Sequence, residues 1–172
     1  MSLASYLYGP LTRLGLWAAL ITAALDQALK LWLLFVYDLG GRGRVPLGRF
    51  VDLVLTWNTG ISYGLFRQEG FSGQLILLAI KAAAVVLLWI WLARATSRLA
   101  ALALGLIIGG AVGNAVDRLF YGAVADFVLF HITTATSRFN WYVFNLADAG
   151  IVAGVVGLLY DSIFGRGAAK AP

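Results

Sequence analysis

Charged residues are so sparse along the chain that four long apolar windows separate them. Each window contains at most two charged side chains and supplies the roughly 20 apolar residues that a helix needs to cross a bilayer. The apolar runs are continuous and do not alternate with polar residues, so they do not fit the strands of a membrane barrel. We therefore predict four transmembrane helices, at about 14–37, 72–93, 99–117 and 143–164.

Four crossings would place the two long connections, about 38–71 and 118–142, on the same side of the membrane. The segment VDLVLTWN at 51–58 predicts a short strand because it is rich in β-branched and aromatic residues, and Asn58-Thr59-Gly60 predicts a turn after it. The segment HITTATSR at 131–138 is polar and predicts an exposed connection, in which His131 is solvated or caps a helix. The expected fold class is an all-α polytopic membrane protein, one domain over 1–172, with a small β-containing extracytoplasmic subdomain.

The composition is typical of a membrane protein and excludes several kinds of catalytic and metal site. The chain of 172 residues is 61% hydrophobic and 12% charged, whereas soluble domains carry about 25% charged residues. That composition excludes both a water-soluble globular domain and a disordered chain. The chain has no cysteine and one histidine, which excludes disulfides, a thiolate nucleophile and a multi-histidine metal cluster. We expect neither a metal nor a cofactor.

The net charge of +5 is spread along the chain, and the basic residues never form a block. Scattered basic residues typically flank membrane spans and face anionic headgroups, so we expect no nucleic-acid partner. Arg94 and Arg98 share one short connection, and the positive-inside rule therefore favours cytoplasmic termini. Asp26 and Lys30 interrupt the first apolar run, which favours a retained span over a cleaved signal peptide.

Glycines form a stripe in the third predicted span, where Gly105, Gly109 and Gly113 recur at every fourth position. Gly150 and Gly154 form a shorter stripe in the fourth span. Small residues at such spacing let membrane helices approach closely. We therefore expect the third and fourth spans to form a tight pair, with these glycines in a packing role.

Several acidic residues lie within or beside the spans, where ionisable groups are costly and are functional candidates. Asp26 and Lys30 share a helix face, so we expect an ion pair with either a packing role or a role in the active site. Asp117 precedes Arg118, and we expect a structural charge cluster at that helix end. The remaining acids lie in connections or at span edges and need no function: Asp38, Asp52, Glu69 and Asp161.

Asp126 and Asp148 have no evident partner in the sequence. Both fall at the membrane face that also carries Asn58, Asn114 and Asn145, by the parity of four spans. Two carboxylates that meet at a membrane surface can activate water, because like-charge repulsion and partial desolvation keep one protonated while the other is ionised. The pair is therefore the candidate site for acid–base hydrolysis.

Five sequence blocks, in order along nearly the whole chain, resemble lipoprotein signal peptidase, the signal peptidase II family of bacteria. The blocks are DQALK at 26–30, NTGISYG at 58–64, GGAVGNAVDR at 109–118, GAVADF at 122–127 and FNLAD at 144–148. The resemblance implies an aspartic endopeptidase that removes the signal peptide from diacylglyceryl-modified prolipoproteins, just before the lipidated cysteine.

The resemblance also implies roles, partners and a location. The family places the enzyme in the bacterial inner membrane, with cytoplasmic termini and an active site at the periplasmic face. Lipidated prolipoproteins and membrane phospholipids are the implied partners, and we expect a monomer. The implied catalytic residues are Asp126 and Asp148, with Asn58, Gly60, Asn114, Arg118 and Asn145 binding substrate or positioning the pair, and Asp26 and Lys30 supporting the site.

Two other functions fit parts of the sequence. In a small transporter, Asp26, Lys30, Asp126 and Asp148 would form an ion path, and polar residues would be spread through the membrane depth. A non-catalytic lipid-binding scaffold would explain the basic balance but not the carboxylates. Most polar residues in the spans cluster at one predicted membrane face, which favours an enzyme at the membrane surface.

Overall fold

The computed structural model describes residues 7–60, 71–134 and 136–165. Its main elements are helices and one small antiparallel sheet. The helices are α1 (Thr12–Leu31), extended by a π-helical turn (Trp32–Val36), the short α2 (Leu39–Arg42), α3 (Phe71–Ala93), α4 (Arg98–Tyr121) and α5 (Leu146–Phe164). The strands are β1 (Val45–Pro46), β2 (Val51–Asn58), β3 (Val124–Thr133) and β4 (Arg138–Phe144), in the spatial order β1-β2-β3-β4.

Three helical segments within the described residues are long and apolar enough to cross a membrane, at 12–36, 98–121 and 146–164. In α3, the apolar stretch within the described side chains is the shorter Ala82–Ala93. Large apolar side chains such as Trp17, Leu87 and Leu159 are exposed on these helices, as expected of surfaces that contact lipid. The chain is therefore a mainly helical membrane protein.

Two predicted boundaries shift by several residues. The third span continues past 117 to Tyr121 and ends where Gly122 adopts a left-handed conformation, with φ of 72°, that glycine accommodates without strain. The last helix begins at Leu146 and not at 143, because residues up to Phe144 belong to β4. Asn145 alone separates that strand from the helix.

The predicted strand at 51–58 is confirmed, and the predicted connection at 131–138 is exposed at 132–134, 136 and 137, but it also contains the ends of two strands that the sequence did not predict. Strand β3 runs to Thr133 and β4 begins at Arg138, and a tight turn joins them through the bond from Thr134 N to Ser137 O (2.8 Å). Aromatic and β-branched residues on both sides of the polar stretch favour strands, and they outweigh its polar composition.

His131 corrects a further expectation, because its side chain is buried and contacts the buried Asp52. His131 is only 8% exposed, and its Nε2 lies 3.1 Å from Asp52 Oδ1 on the neighbouring strand, while Arg44 also pairs with Asp52. Burial would raise the pKa of Asp52, but the neighbouring Arg44 and His131 hold that pKa below its usual value. The three side chains tie β2 to β3 and to the segment beside β1.

Helix α4 is central and packs against α1, α3 and α5. The expected close pair of α4 and α5 is present, since a Cβ on Gly110 would overlap the carbonyl oxygen of Ala147. The stripe of Gly105, Gly109 and Gly113 packs mainly elsewhere, however. A Cβ on Gly105 or Gly109 would overlap carbonyl oxygens of α1, so these two glycines face the first helix, whereas a Cβ on Gly113 would meet both Asp26 on α1 and Ala147 on α5.

Candidate active site

Polar side chains from five elements meet at one end of the helix bundle, beside the sheet. Apolar residues such as Leu92, Ala101 and Leu104 form a core cluster farther along the bundle. The polar cluster contains all the residues proposed from sequence: Asp26 and Lys30 on α1, Asn58 and Gly60 at the end of β2, Asn114 and Arg118 on α4, Asp126 on β3, and Asn145 and Asp148 at the start of α5.

Asp126 and Asp148 line the same cavity, which has a volume of about 240 Å³. The lining contains both polar and aliphatic side chains, so a peptide could place its backbone near the carboxylates and its side chains against aliphatic groups. The other lining residues are Asn58, Asn114, Arg118, Val124, Tyr142, Val143, Ile151 and Val152.

Asp126 lies in β3, opposite Thr56 and next to an irregularity in the β2 register between Leu53 and Thr56. The side chain is only 3% exposed, and Asn145 Nδ2 donates to its Oδ1 (2.6 Å) while Asn58 Nδ2 donates to its Oδ2 (3.2 Å). Burial, together with the charge of Asp148, raises the pKa of Asp126 to about 6. The two amide donors act in the opposite direction.

Asp148 is positioned by the start of α5. Asn145 caps the helix by accepting a bond from Asp148 N (2.9 Å), and Asp148 Oδ2 accepts one from Asn145 N (3.3 Å), which together make a capping box. Asn114 Nδ2 donates to the other carboxylate oxygen of Asp148 (2.9 Å). An Asn three residues before an Asp, ahead of an apolar run, is a sequence signal for this arrangement.

Two side-chain amides connect the carboxylates. Asn114 Oδ1 accepts bonds from Lys30 Nζ (3.1 Å) and from Asn145 Nδ2 (3.1 Å). Because its oxygen is occupied in this way, the amide nitrogen of Asn114 faces Asp148. Asn145 Nδ2 also donates to Asp126, so a continuous hydrogen-bonded chain joins Asp126 to Asp148.

Lys30 forms the predicted ion pair with Asp26 (2.8 Å) and a second one with Asp117 Oδ2 (2.8 Å). Its side chain is 2% exposed, so both carboxylates compensate a buried charge. Asp26 Oδ1 accepts a bond from Ala147 N (2.9 Å), and Asp117 Oδ2 accepts one from Ala125 N (3.1 Å). Asp117, for which we expected a structural role beside Arg118, forms an ion pair with Lys30 on another helix.

Gln27 is a member of this cluster that the sequence reasoning missed. Its Nε2 donates to Asp117 Oδ1 (2.8 Å) and to the carbonyl oxygen of Gly113 (3.0 Å). The available signal was an amide beside Asp26 in an otherwise apolar span, where an unpaired amide would be costly. Tyr142 lines the cavity and was also missed, since one aromatic residue among many in this chain carries no signal.

Arg118 and Gly60 hold the turn after β2 against α4. Arg118 Nη2 donates to the carbonyl oxygen of Gly60, and Gly60 N donates to Asn58 Oδ1 (3.0 Å). The Asn58 oxygen is thereby engaged, and its amide nitrogen faces Asp126. Gly60 thus contributes through its backbone, and positions 61–64 of the same sequence block lie outside the described residues.

A family model described as signal peptidase (SPase) II matches residues 18–164 of the chain. A lipoprotein signal peptidase from Rhodopseudomonas palustris (strain TIE-1) is 61% identical over 160 residues, covering 93% of this chain and 98% of that protein. One from Nitrobacter hamburgensis is 62% identical over 160 residues, with the same coverage of both proteins.

The fold is also found in a solved structure of a bacterial membrane enzyme, determined by the in meso method at 2.3 Å resolution. It is 22% identical to this chain, covers 91% of both chains and superimposes with a TM-score of 0.68. The matched family region includes every member of the polar cluster around Asp126 and Asp148. With that region spanning most of the sequence and two close relatives matching nearly end to end, the chain belongs to the signal peptidase II family.

Proposed function

We propose that the chain is an aspartic endopeptidase that removes the signal peptide from diacylglyceryl-modified prolipoproteins, cleaving before the lipidated cysteine. Family membership and the names of the relatives support the removal of signal peptides from prolipoproteins. One observation carries the aspartic mechanism. Asp126 and Asp148 line one cavity and are joined through the amides of Asn114 and Asn145.

In the proposed mechanism, a water molecule between the two carboxylates attacks the scissile carbonyl carbon. One carboxylate takes a proton from the water, while the other, protonated, carboxyl group donates its proton to the carbonyl oxygen. As the tetrahedral intermediate collapses, the first carboxyl group donates the proton of the water to the leaving amine, and the second carboxylate takes back a proton from the intermediate. The raised pKa of Asp126 supports a pair in which one carboxyl group keeps its proton at a pH where an isolated carboxyl group is already ionised. The acid and base roles belong to the coupled pair, and no covalent intermediate forms.

The remaining residues of the cluster have supporting roles in this proposal. Asn58, Asn114 and Asn145 orient the carboxylates through their amide donors. Arg118 adds a positive charge to the cavity wall and positions the turn at Gly60, where the substrate backbone binds. Asp26 and Lys30 fix Asn114 and the start of α5, and neither a metal nor a cofactor takes part.

The family and the apolar helices indicate a multi-pass protein of the inner membrane. We propose that α3 is a fourth span, since its 23 residues reach about 35 Å as an α-helix. Four spans put both termini on one side and the dyad on the other, and the basic connection of Arg94 and Arg98 assigns the termini to the cytoplasm and the dyad to the periplasmic face. The chain is then one integral-membrane domain that works as a monomer. The acyl chains of the substrate then lie in phospholipid against the helices, and the substrate arrives by lateral diffusion.

An ion path is the weaker alternative because the described polar cluster does not continue along the bundle. Between Arg98 and Asn114, α4 contains only apolar residues and glycine. Lys30 bonds with Asp26, Asp117 and Asn114 at the same end of the bundle as the cavity. A non-catalytic scaffold would not explain why Asp126 and Asp148 are joined by hydrogen bonds in one cavity.

The decisive experiment is a cleavage assay with purified protein and a lipidated prolipoprotein, beside the same substrate without its diacylglyceryl group. We expect cleavage of the lipidated form only, with the lipidated cysteine as the new N-terminus by mass spectrometry. Equal cleavage of both forms would contradict the proposed specificity. Loss of activity with a chelator or a serine-directed reagent would contradict the proposed mechanism.

A further inference from the structure

A second cavity lies at the end of the bundle opposite the dyad, between the segment before α1 and the connection from α3 to α4. Its volume is about 510 Å³, within the roughly 300–1,000 Å³ of common ligand pockets. Pro10, Leu11 and Ala93 supply apolar walls, and Arg94, Thr96 and Arg98 supply polar groups. None of the described residues that line it is acidic, and two of them, Arg94 and Arg98, are basic.

The walls of this cavity are held by close packing. A Cβ on Gly9 would overlap the carbonyl oxygen of Ala93, so the two segments approach backbone to backbone at a position that only glycine fits. Gly9 N also donates to Thr12 Oγ1 (2.8 Å), and Ala95 N donates to the carbonyl oxygen of Leu92 (3.1 Å). The cavity is therefore part of the packed fold.

The position of the cavity matches the headgroup level of a bilayer. Arg98 begins α4 and Asp117 lies near its other end, a helix of 24 residues that spans about 36 Å. Trp89 Nε1 donates to the carbonyl oxygen of Leu7 (3.0 Å) beside the cavity, and tryptophans concentrate at membrane interfaces. Asp161 Oδ1 accepts a bond from Ser97 Oγ of this connection (2.6 Å).

We propose that this cavity binds the phosphate of an anionic phospholipid headgroup. Guanidinium groups match phosphate oxygens in geometry and charge, and basic pockets between membrane helices bind anionic headgroups. Pro10 and Leu11 contact the glycerol of the bound lipid and the adjoining part of its acyl chains. The bound lipid holds the start of α1 against the α3–α4 connection, at the membrane face opposite the dyad.

The test is a lipid titration of the purified protein in neutral detergent, with bound lipid counted by native mass spectrometry. We expect phosphatidylglycerol to bind and phosphatidylcholine not to bind at the same concentration. Arg94→Gln and Arg98→Gln should each weaken phosphatidylglycerol binding about fivefold, since one basic residue near an anionic surface contributes about that factor. Arg13→Gln is the matched control, because Arg13 lies at the same end and does not line the cavity.

Three outcomes would overturn the proposal. They are equal binding of both lipids, equal weakening by Arg13→Gln and Arg98→Gln, or unchanged binding in the Arg94→Gln/Arg98→Gln double variant. A further arm uses inorganic phosphate, and binding of phosphate without binding of the lipid would identify a free-anion site instead. The melting temperature of each variant without lipid controls for folding. Because the readout is lipid binding, its failure is distinguishable from failure of the proposed peptidase activity.

Discussion

At the scale of single residues, Asp126 and Asp148 are held by different means. Asp126 receives amide donors from a strand end and a helix cap, whereas Asp148 is fixed by the capping box of its own helix and by Asn114. Each carboxylate oxygen thus has a donor, and neither side chain can rotate without breaking a bond. This arrangement fixes the carboxylates before a substrate binds, which lowers the cost of reaching the reactive geometry.

We expect Asp126→Asn and Asp148→Asn each to reduce cleavage by about 10⁴-fold or more, because Asn preserves the shape but cannot take or hold the proton. The double variant should be no worse than either single variant, since residues that act as a unit are not additive. Asp38→Asn is the control, because Asp38 is exposed and only caps α2. Cleavage near the parent rate in either single variant would remove that residue from the mechanism.

The raised pKa of Asp126 predicts a pH-dependent difference in stability. The native state binds this proton more tightly than the unfolded chain, so ionisation costs stability as pH rises from about 4 to about 6. A shift of the pKa from 3.8 to about 6 corresponds to about 3 kcal/mol, reached above pH 6.

The measurement is thermal unfolding of the parent and of Asp126→Asn in detergent at pH 4, 6 and 8. Relative to the variant, the parent should lose stability on going from pH 4 to pH 8. A difference in melting temperature that stays constant over this range would show that the pKa of Asp126 is not raised in the folded protein.

At the scale of secondary-structure elements, Lys30 links α1 to its neighbours. We expect Lys30→Ala to lower the free energy of unfolding by roughly 3–5 kcal/mol, because it leaves Asp26 and Asp117 buried without their cation. Adding Asp26→Ala should cost less than the sum of the two single changes. Additive effects in this double-mutant cycle would show that the residues are not coupled.

The contact of α4 with α1 gives a second prediction at this scale. Gly109→Val should lower stability by about 1–3 kcal/mol or more, because its side chain would overlap the backbone of α1. It should also reduce cleavage, since α1 carries Lys30 into the cluster. Gly48→Val is the control, because nothing lies within 4 Å of a Cβ built at that position. Equal melting temperatures for Gly109→Val and the parent would contradict this packing.

At the scale of the whole molecule, the proposed orientation is testable because the chain has no native cysteine. Thr96 is exposed in the α3–α4 connection, and Ser137 is exposed in the turn between β3 and β4. In intact spheroplasts we expect a cysteine at Ser137 to react with a membrane-impermeant thiol reagent and one at Thr96 to be protected. The reverse labelling pattern would invert the topology.

The parts of the fold that depend on local composition could be predicted from the sequence. Long charge-poor windows predicted the helices, and the cost of ionisable groups in membranes singled out Asp126 and Asp148. The ion pair of Lys30 with Asp117 could not be predicted in this way, because Asp117 lies on a different helix and only packing brings it close. The contact of Asp52 with His131 likewise depends on the register between two strands, which composition does not determine.

The bond from Ala147 N to Asp26 Oδ1 joins positions 121 residues apart, and it has a consequence for biogenesis. A nascent chain inserts its first helix long before the segment with Asn145 and Asp148 has been synthesised. Until that last segment has been inserted, Asp126 has neither the amide donor of Asn145 nor Asp148 as the second carboxylate of the pair. Asn114 likewise lacks the hydrogen bond that it accepts from Asn145 and the one that it donates to Asp148. In the proposed mechanism, a partly inserted chain therefore cannot cleave peptides, and proteolytic competence begins only when membrane insertion is complete.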